Sequence, residues 1–241
     1  MNSTLKNKRG EFQDKSIRLS AELVKLCERE EPDPGPPVWQ KVFSDGEYES
    51  LAETLLKQWG DKPLWIFAYG SLLWKPAFES IETRRSTAHG WQRAFCLEMR
   101  RWRGSPMQPG LMLGLQPGGN CEGMAYRLPD ADRKSQLTKL LRREVDCNED
   151  VDAIETIKLE TKDGNIEALA FWANASKSPF FVNHDISTEA QILARACGHI
   201  GSGATYLFNT VSKLRDLDIF DEYIWELQNR VADEIVQLQE F

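Results

Sequence analysis

The chain has 241 residues, of which 41% are hydrophobic and 28% charged, and a formal net charge of -7. That is a globular composition with enough chain for one sizeable core, and its acidity argues against a general nucleic-acid binder, which must neutralise phosphates. No apolar run of about 18 residues is present to span a membrane. The polar stretch from Met1 to Gly10 lacks the apolar core of a secretory signal, and the five cysteines are scattered without a CxxC pair. These features imply a cytoplasmic protein with buried thiols and no metal framework.

In chain order, residues 1–31 are charged, with weak helical spacing at Ile17, Leu19, Leu23, Val24 and Leu26. Pro32, Pro34, Pro36 and Pro37 then forbid a helix and mark a stiff linker. Residues 1–37 are therefore expected to form an arm, helical or partly disordered, ahead of a single domain over 38–241. A helix is expected from Ser44 or Asp45 to Trp59, with Leu51, Leu55, Leu56 and Trp59 on one face and Gly60 just past its end. Leu64 to Ala68 reads as a buried strand that breaks at Tyr69-Gly70-Ser71-Leu72. Glycine there allows close backbone approach to a ligand, and serine adds a hydroxyl.

Further β character follows over Thr87–Met99, Leu111–Leu115 and Gly123–Leu128, with Pro117-Gly118-Gly119-Asn120 read as a turn. One helix is expected from Asp132 to about Cys147. Ile154–Thr161 and Asn165–Ala173 flank Asp163-Gly164, the strongest hairpin signal in the chain. The last third reads as helices: Thr188–Cys197 with a Thr188/Gln191 capping box, Ala204–Leu217, and Asp221 to the end. In the final helix Ile224, Leu227, Val231, Ile235 and Leu238 form an apolar stripe. Short hairpin-linked strands with grouped helices point to an α+β fold on a small mixed or barrel-like sheet.

The central helix carries one residue out of place. Leu137, Leu140, Leu141 and Val145 form its apolar stripe, and Glu144 shares that face. A carboxylate there must be paired, hydrogen-bonded or protonated, and desolvation raises its pKa towards the range useful in acid/base catalysis. Arg142 and Arg143 are expected to project from other faces.

At this point a resemblance emerges. Trp65 to Pro76, Gly90 to Leu97, Gln108-Pro109-Gly110, Gly123 to Pro129, Arg143-Glu144 and Tyr206-Leu207-Phe208 together resemble the ChaC-type γ-glutamylcyclotransferases, in order and spacing, over about Val38 to Leu217. The resemblance implies a small mixed β-barrel flanked by helices and needing no cofactor. It also implies cleavage of a γ-glutamyl peptide, typically glutathione, to 5-oxoproline and cysteinylglycine. On it, Glu144 is the catalytic base, Tyr69, Gly70, Ser71 and Leu72 hold the γ-glutamyl group, and Tyr206 lies near the substrate. The chemistry agrees, since the substrate's own amine attacks and no enzyme nucleophile is required. The acidic stretch Val145–Asp152 departs from the family's pattern and bears on substrate preference.

Two other readings stand beside this one: a cyclotransferase for another γ-glutamyl amine or peptide, and a non-catalytic binding module of the same fold. Arg100-Arg101-Trp102-Arg103 is a candidate positive patch for an anionic peptide. His89, His184 and His199 are too dispersed to suggest a metal site, and no protein partner follows from the sequence.

Overall fold

The structure is a computed structural model, and it describes residues 16–240. A short helix α1 (Ala21–Lys25) precedes α2 (Asp45–Trp59), which begins at Ser44 with a complete Ser44/Glu47 capping box and stops at Gly60. Strands β1 (Trp65–Ala68), β2 (Glu82–Met99) and β3 (Gly110–Arg127) follow, then α3 (Arg133–Glu144) and a single turn α4 (Asn148–Val151). The hairpin β4 (Ile154–Thr161) and β5 (Gly164–Phe171) comes next, with Lys162 and Asp163 at its tip. Helix α5 (Ile186–Arg195), the minimal strands β6 (Cys197–Gly198) and β7 (Gly201–Ser202), α6 (Gly203–Asp216) and α7 (Glu222–Gln239) complete the chain.

β1 to β5 close into a barrel in the order β1-β3-β2-β4-β5. All neighbours are antiparallel except β5 and β1, which meet in parallel and seal it. Every residue of β1 is buried because both of its faces are covered. Trp65 and Phe67 join Ala88, Leu115, Ile157 and Leu159 in a cluster drawn from all five strands, which is the barrel interior. Ile66 and Ala68 face a larger core shared with the helices, to which the α3 residues Leu137, Leu140 and Leu141 belong.

Three expectations need correction. Pro117-Gly118-Gly119-Asn120 is not a turn: β3 runs straight through it, paired with β2, and a register shift opposite His89 and Trp91 absorbs the irregularity. Gly90, Gly118 and Gly119 all have positive φ there, so the glycines serve a bulge that bends two 18-residue strands round the barrel. α5 starts earlier than Thr188, because Asp185 accepts from the amides of Ser187 and Thr188, both at 2.9 Å. α3 ends at Glu144 rather than Cys147, with Val145 already extended.

The segment before the Pro-rich stretch is docked. Leu19 and Val24 are buried in the larger core, and the amides of Arg18 and Leu19 both donate to the Gln228 carbonyl oxygen of α7, at 3.0 Å. Residues 1–15 of the expected arm lie outside the described residues.

Candidate active site

Three elements converge at one end of the barrel. β1 breaks after Ala68 into a 3-10 turn, Ser71–Leu73; α3 delivers Glu144 at its last residue; α6 delivers Tyr206 in its first turn. Arg93 fixes the break. Its guanidinium, only 1% exposed, donates to the Tyr69 carbonyl oxygen at 2.7 Å, to the Glu122 carbonyl, and to Asp221 at 2.8 Å. Sequence reasoning did not assign Arg93 a role. Its signal was there: it shares strand parity with Trp91 and the buried Phe95, as Glu144 shares a stripe with leucines.

Tyr69, Gly70, Ser71, Glu144 and Tyr206 are brought together, as the sequence suggested. The Tyr69 hydroxyl donates to the Phe171 carbonyl at 2.7 Å, tying the loop to β5. A Cβ on Gly70 would lie 3.2 Å from the Tyr206 hydroxyl and 3.3 Å from Leu113, so glycine allows that phenol to approach the loop. The Ser71 hydroxyl and amide face the Tyr206 oxygen and favour its ionised form. Leu72 contributes its side chain to the core, which leaves its backbone as the part available to the loop.

The tyrosine ring packs edge-on against Trp74 and Phe95, with centroids 5.8 and 6.0 Å away. Burial, reinforced by the Glu144 charge, pushes the Tyr206 phenol up to about 12 despite the Ser71 hydrogen bonds and Arg103. It is therefore protonated at neutral pH.

Glu144 brings a carboxyl of raised pKa to the cluster. Its side chain is 21% exposed, and burial raises its pKa above the ordinary carboxylate value of 4.5, opposed in part by the Arg143 charge. Arg143 does not project away, as expected from helical spacing. Its Nε lies 3.1 Å from Glu144 Oε1 and its Nη2 donates to Ser71 Oγ at 2.8 Å, so one guanidinium bridges Glu144 and the loop. A half-buried carboxylate of raised pKa beside hydroxyl and amide donors can take a proton from a bound amine and return it to a leaving group.

The chain matches the family model described as ChaC-like protein over residues 64–234. It belongs to the ChaC-like family. Within that family it is 37% identical, over 74% of its length and 77% of the relative's, to an Escherichia coli protein named glutathione-specific gamma-glutamylcyclotransferase. A Schizosaccharomyces pombe protein of the same name is 28% identical over 71% of this chain and 94% of its own. Among solved structures, a yeast gamma-glutamyl cyclotransferase described as specific to glutathione superposes with a TM-score of 0.64 at 17% identity, covering 72% of this chain and 97% of that one. That likeness bears on the fold alone.

One further expectation changes in this ChaC-like chain. The basic cluster is neutralised internally: Arg100 pairs with Glu98, Arg101 holds both Asp33 oxygens at 2.7 Å, and Arg103 is buried and donates to the Ser202 carbonyl. It offers no open positive patch. The acidic stretch after Glu144 is held down, since the Tyr48 hydroxyl donates to the Val145 carbonyl at 2.8 Å, the Phe43 amide to that of Asp146, and Gln40 to Cys147 Sγ.

Proposed function

We propose that the protein is a cytoplasmic γ-glutamylcyclotransferase that cleaves glutathione to 5-oxoproline and cysteinylglycine, with Glu144 as acid/base. The observation that carries this reading is Glu144 itself: a carboxylate of raised pKa, one guanidinium away from the Ser71 loop. Family membership and the names of the relatives support the same reaction.

In this mechanism the γ-glutamyl group lies folded along Tyr69-Gly70-Ser71-Leu72, which supplies proximity between its α-amine and γ-carbonyl. Glu144 takes the ammonium proton. The freed amine attacks the γ-carbonyl carbon to close a five-membered ring. Amide and hydroxyl donors of the loop, with the protonated Tyr206 beside them, steady the developing oxyanion. The bond to the cysteinyl nitrogen then breaks as Glu144 returns its proton to that nitrogen, and the second proton of the ring nitrogen passes to the released amine, which leaves neutral 5-oxoproline and the cysteinylglycine ammonium. In the same reading, residues 38–241 are one catalytic domain and residues 1–37 an arm that it carries. No helix among the described residues is long and apolar enough to cross a membrane.

The test is release of 5-oxoproline from glutathione by purified protein, beside a folded Glu144→Gln variant and a γ-Glu-Ala control. The expected result is release by the wild type and at least a 100-fold loss in the variant, a magnitude typical of removing a general base. Release that survives the substitution would assign the base to another residue. Turnover of γ-Glu-Ala but not glutathione would move the substrate to another γ-glutamyl peptide.

A further inference from the structure

Arg143 makes two of the contacts its guanidinium can offer and leaves a third open. Nε faces Glu144 and Nη2 donates to Ser71, while Nη1 is buried and has no hydrogen-bond partner. An inaccessible charged N–H without an acceptor is costly, and sites keep such groups where a ligand completes them. The open nitrogen belongs to a side chain that touches both Glu144 and the Ser71 loop.

Resting on the γ-glutamyl reading above, we propose that Arg143 binds the α-carboxylate of the γ-glutamyl group through Nη1. Charge balance through the reaction favours this partner over a neutral oxygen. In the free site the guanidinium is balanced by ionised Glu144 at 3.1 Å. When Glu144 takes the ammonium proton it becomes neutral, and Arg143 would be left half-buried without a counter-ion. A substrate carboxylate on Nη1 keeps it paired before and after the transfer. The geometry fits as well, since α-carboxylate and α-amine share one carbon. A group that grips the carboxylate next to Glu144 thereby presents the amine to the base. Arg143 is thus a substrate-binding residue that also orients the base.

The experiment compares glutathione with 4-aminobutyryl-cysteinylglycine, which keeps the amine and the γ-carbonyl but lacks the α-carboxylate. Steady-state constants are measured for glutathione, and the analogue is scored by its inhibition constant against glutathione turnover. Arg143→Gln is expected to raise KM for glutathione roughly 10- to 100-fold, the scale of one lost charge-assisted hydrogen bond. The analogue's inhibition constant is expected to stay within about threefold, because it never engaged that contact. Arg143→Lys keeps the charge without the fork and is expected to fall between, which preserves the comparison if the glutamine variant does not fold. Equal losses of affinity for both compounds would overturn the proposal and confine Arg143 to holding Glu144 and Ser71. An unchanged KM would overturn it too. No 5-oxoproline from the wild type would instead overturn the glutathione reading, and this proposal with it.

Discussion

The Glu144 cluster depends on single atoms whose removal has separable effects. Tyr206 is held by its ring against Trp74 and Phe95, and its hydroxyl faces Ser71. Tyr206→Phe keeps the packing and deletes only the hydroxyl. It is expected to lower kcat/KM on the order of 10-fold, the scale of one buried hydrogen bond, with little change in melting temperature. A variant that melts much earlier would show that the hydroxyl serves the fold. In the proposed mechanism Glu144 is expected to set the acid limb of the pH profile: its folded pKa lies above 4.5, and activity is expected to fall as pH drops through that raised value. A limb at or below 4.5 would mean that the base is not buried as described. At this scale Glu144 was legible in the sequence because a carboxylate on a leucine stripe violates periodicity. The Arg143–Glu144 contact was not, because adjacent residues diverge inside a helix and here the helix ends at Glu144, letting the two side chains meet.

Among the elements, those with local punctuation were readable and those shaped by closure were not. α2 has its Ser44/Glu47 box and Gly60 stop, and the β4–β5 hairpin has its Asp-Gly tip; both match the sequence expectation closely. The Pro-Gly-Gly-Asn stretch of β3 carries turn chemistry, yet barrel curvature uses its glycines as a bulge, a demand no local pattern reveals. Another irregularity of β2, between Phe95 and Leu97, is bound to the helices by a buried chain of hydrogen bonds: the Phe95 amide donates to the Tyr223 hydroxyl at 2.9 Å, and Tyr223 donates to Glu189 at 2.8 Å. Burial, with the nearby Asp185 charge, raises the Glu189 carboxyl to about 7, against the Tyr223 hydrogen bond. A raised carboxyl contributes stability that is fully present below its unfolded value of 4.5 and is lost as pH rises through the folded value near 7. Glu189→Gln still accepts from Tyr223 but cannot ionise. It is expected to stabilise the protein at pH 8 on the order of 2 kcal/mol and to make little difference at pH 5. Urea midpoints of both proteins at the two pH values decide it, and an equal effect at both would rule out ionisation as the cause.

For the whole molecule, the informative feature lies outside the family-matched range of residues 64–234. The segment around Leu19 to Glu28 is seated on helices that belong to that range. Leu19 is fully buried, and the fully buried Gln228 takes two backbone amides with its carbonyl while its amide group donates to the Trp225 carbonyl at 3.1 Å. Further along, Glu28 accepts from the Ser202 amide and hydroxyl, at 3.1 and 2.8 Å, and from Thr205, so it extends the N-cap of the helix that carries Tyr206. The composition of residues 1–31 suggested only an arm, because its charges hide an anchor of few apolar side chains. The structure places this anchor in the larger hydrophobic core. Leu19→Ala opens a cavity in a site that cannot collapse fully and is expected to cost about 2–4 kcal/mol. Gln228→Ala strands the buried Leu19 amide and the part-buried Arg18 amide and is expected to cost a comparable amount. Because both act on the same docking, the double variant is expected to lose less than the sum of the two. Two-state urea melts of the four proteins test this. Strictly additive losses would show that Leu19 and Gln228 stabilise the fold separately, and negligible losses would show that the arm merely rests on a domain complete without it.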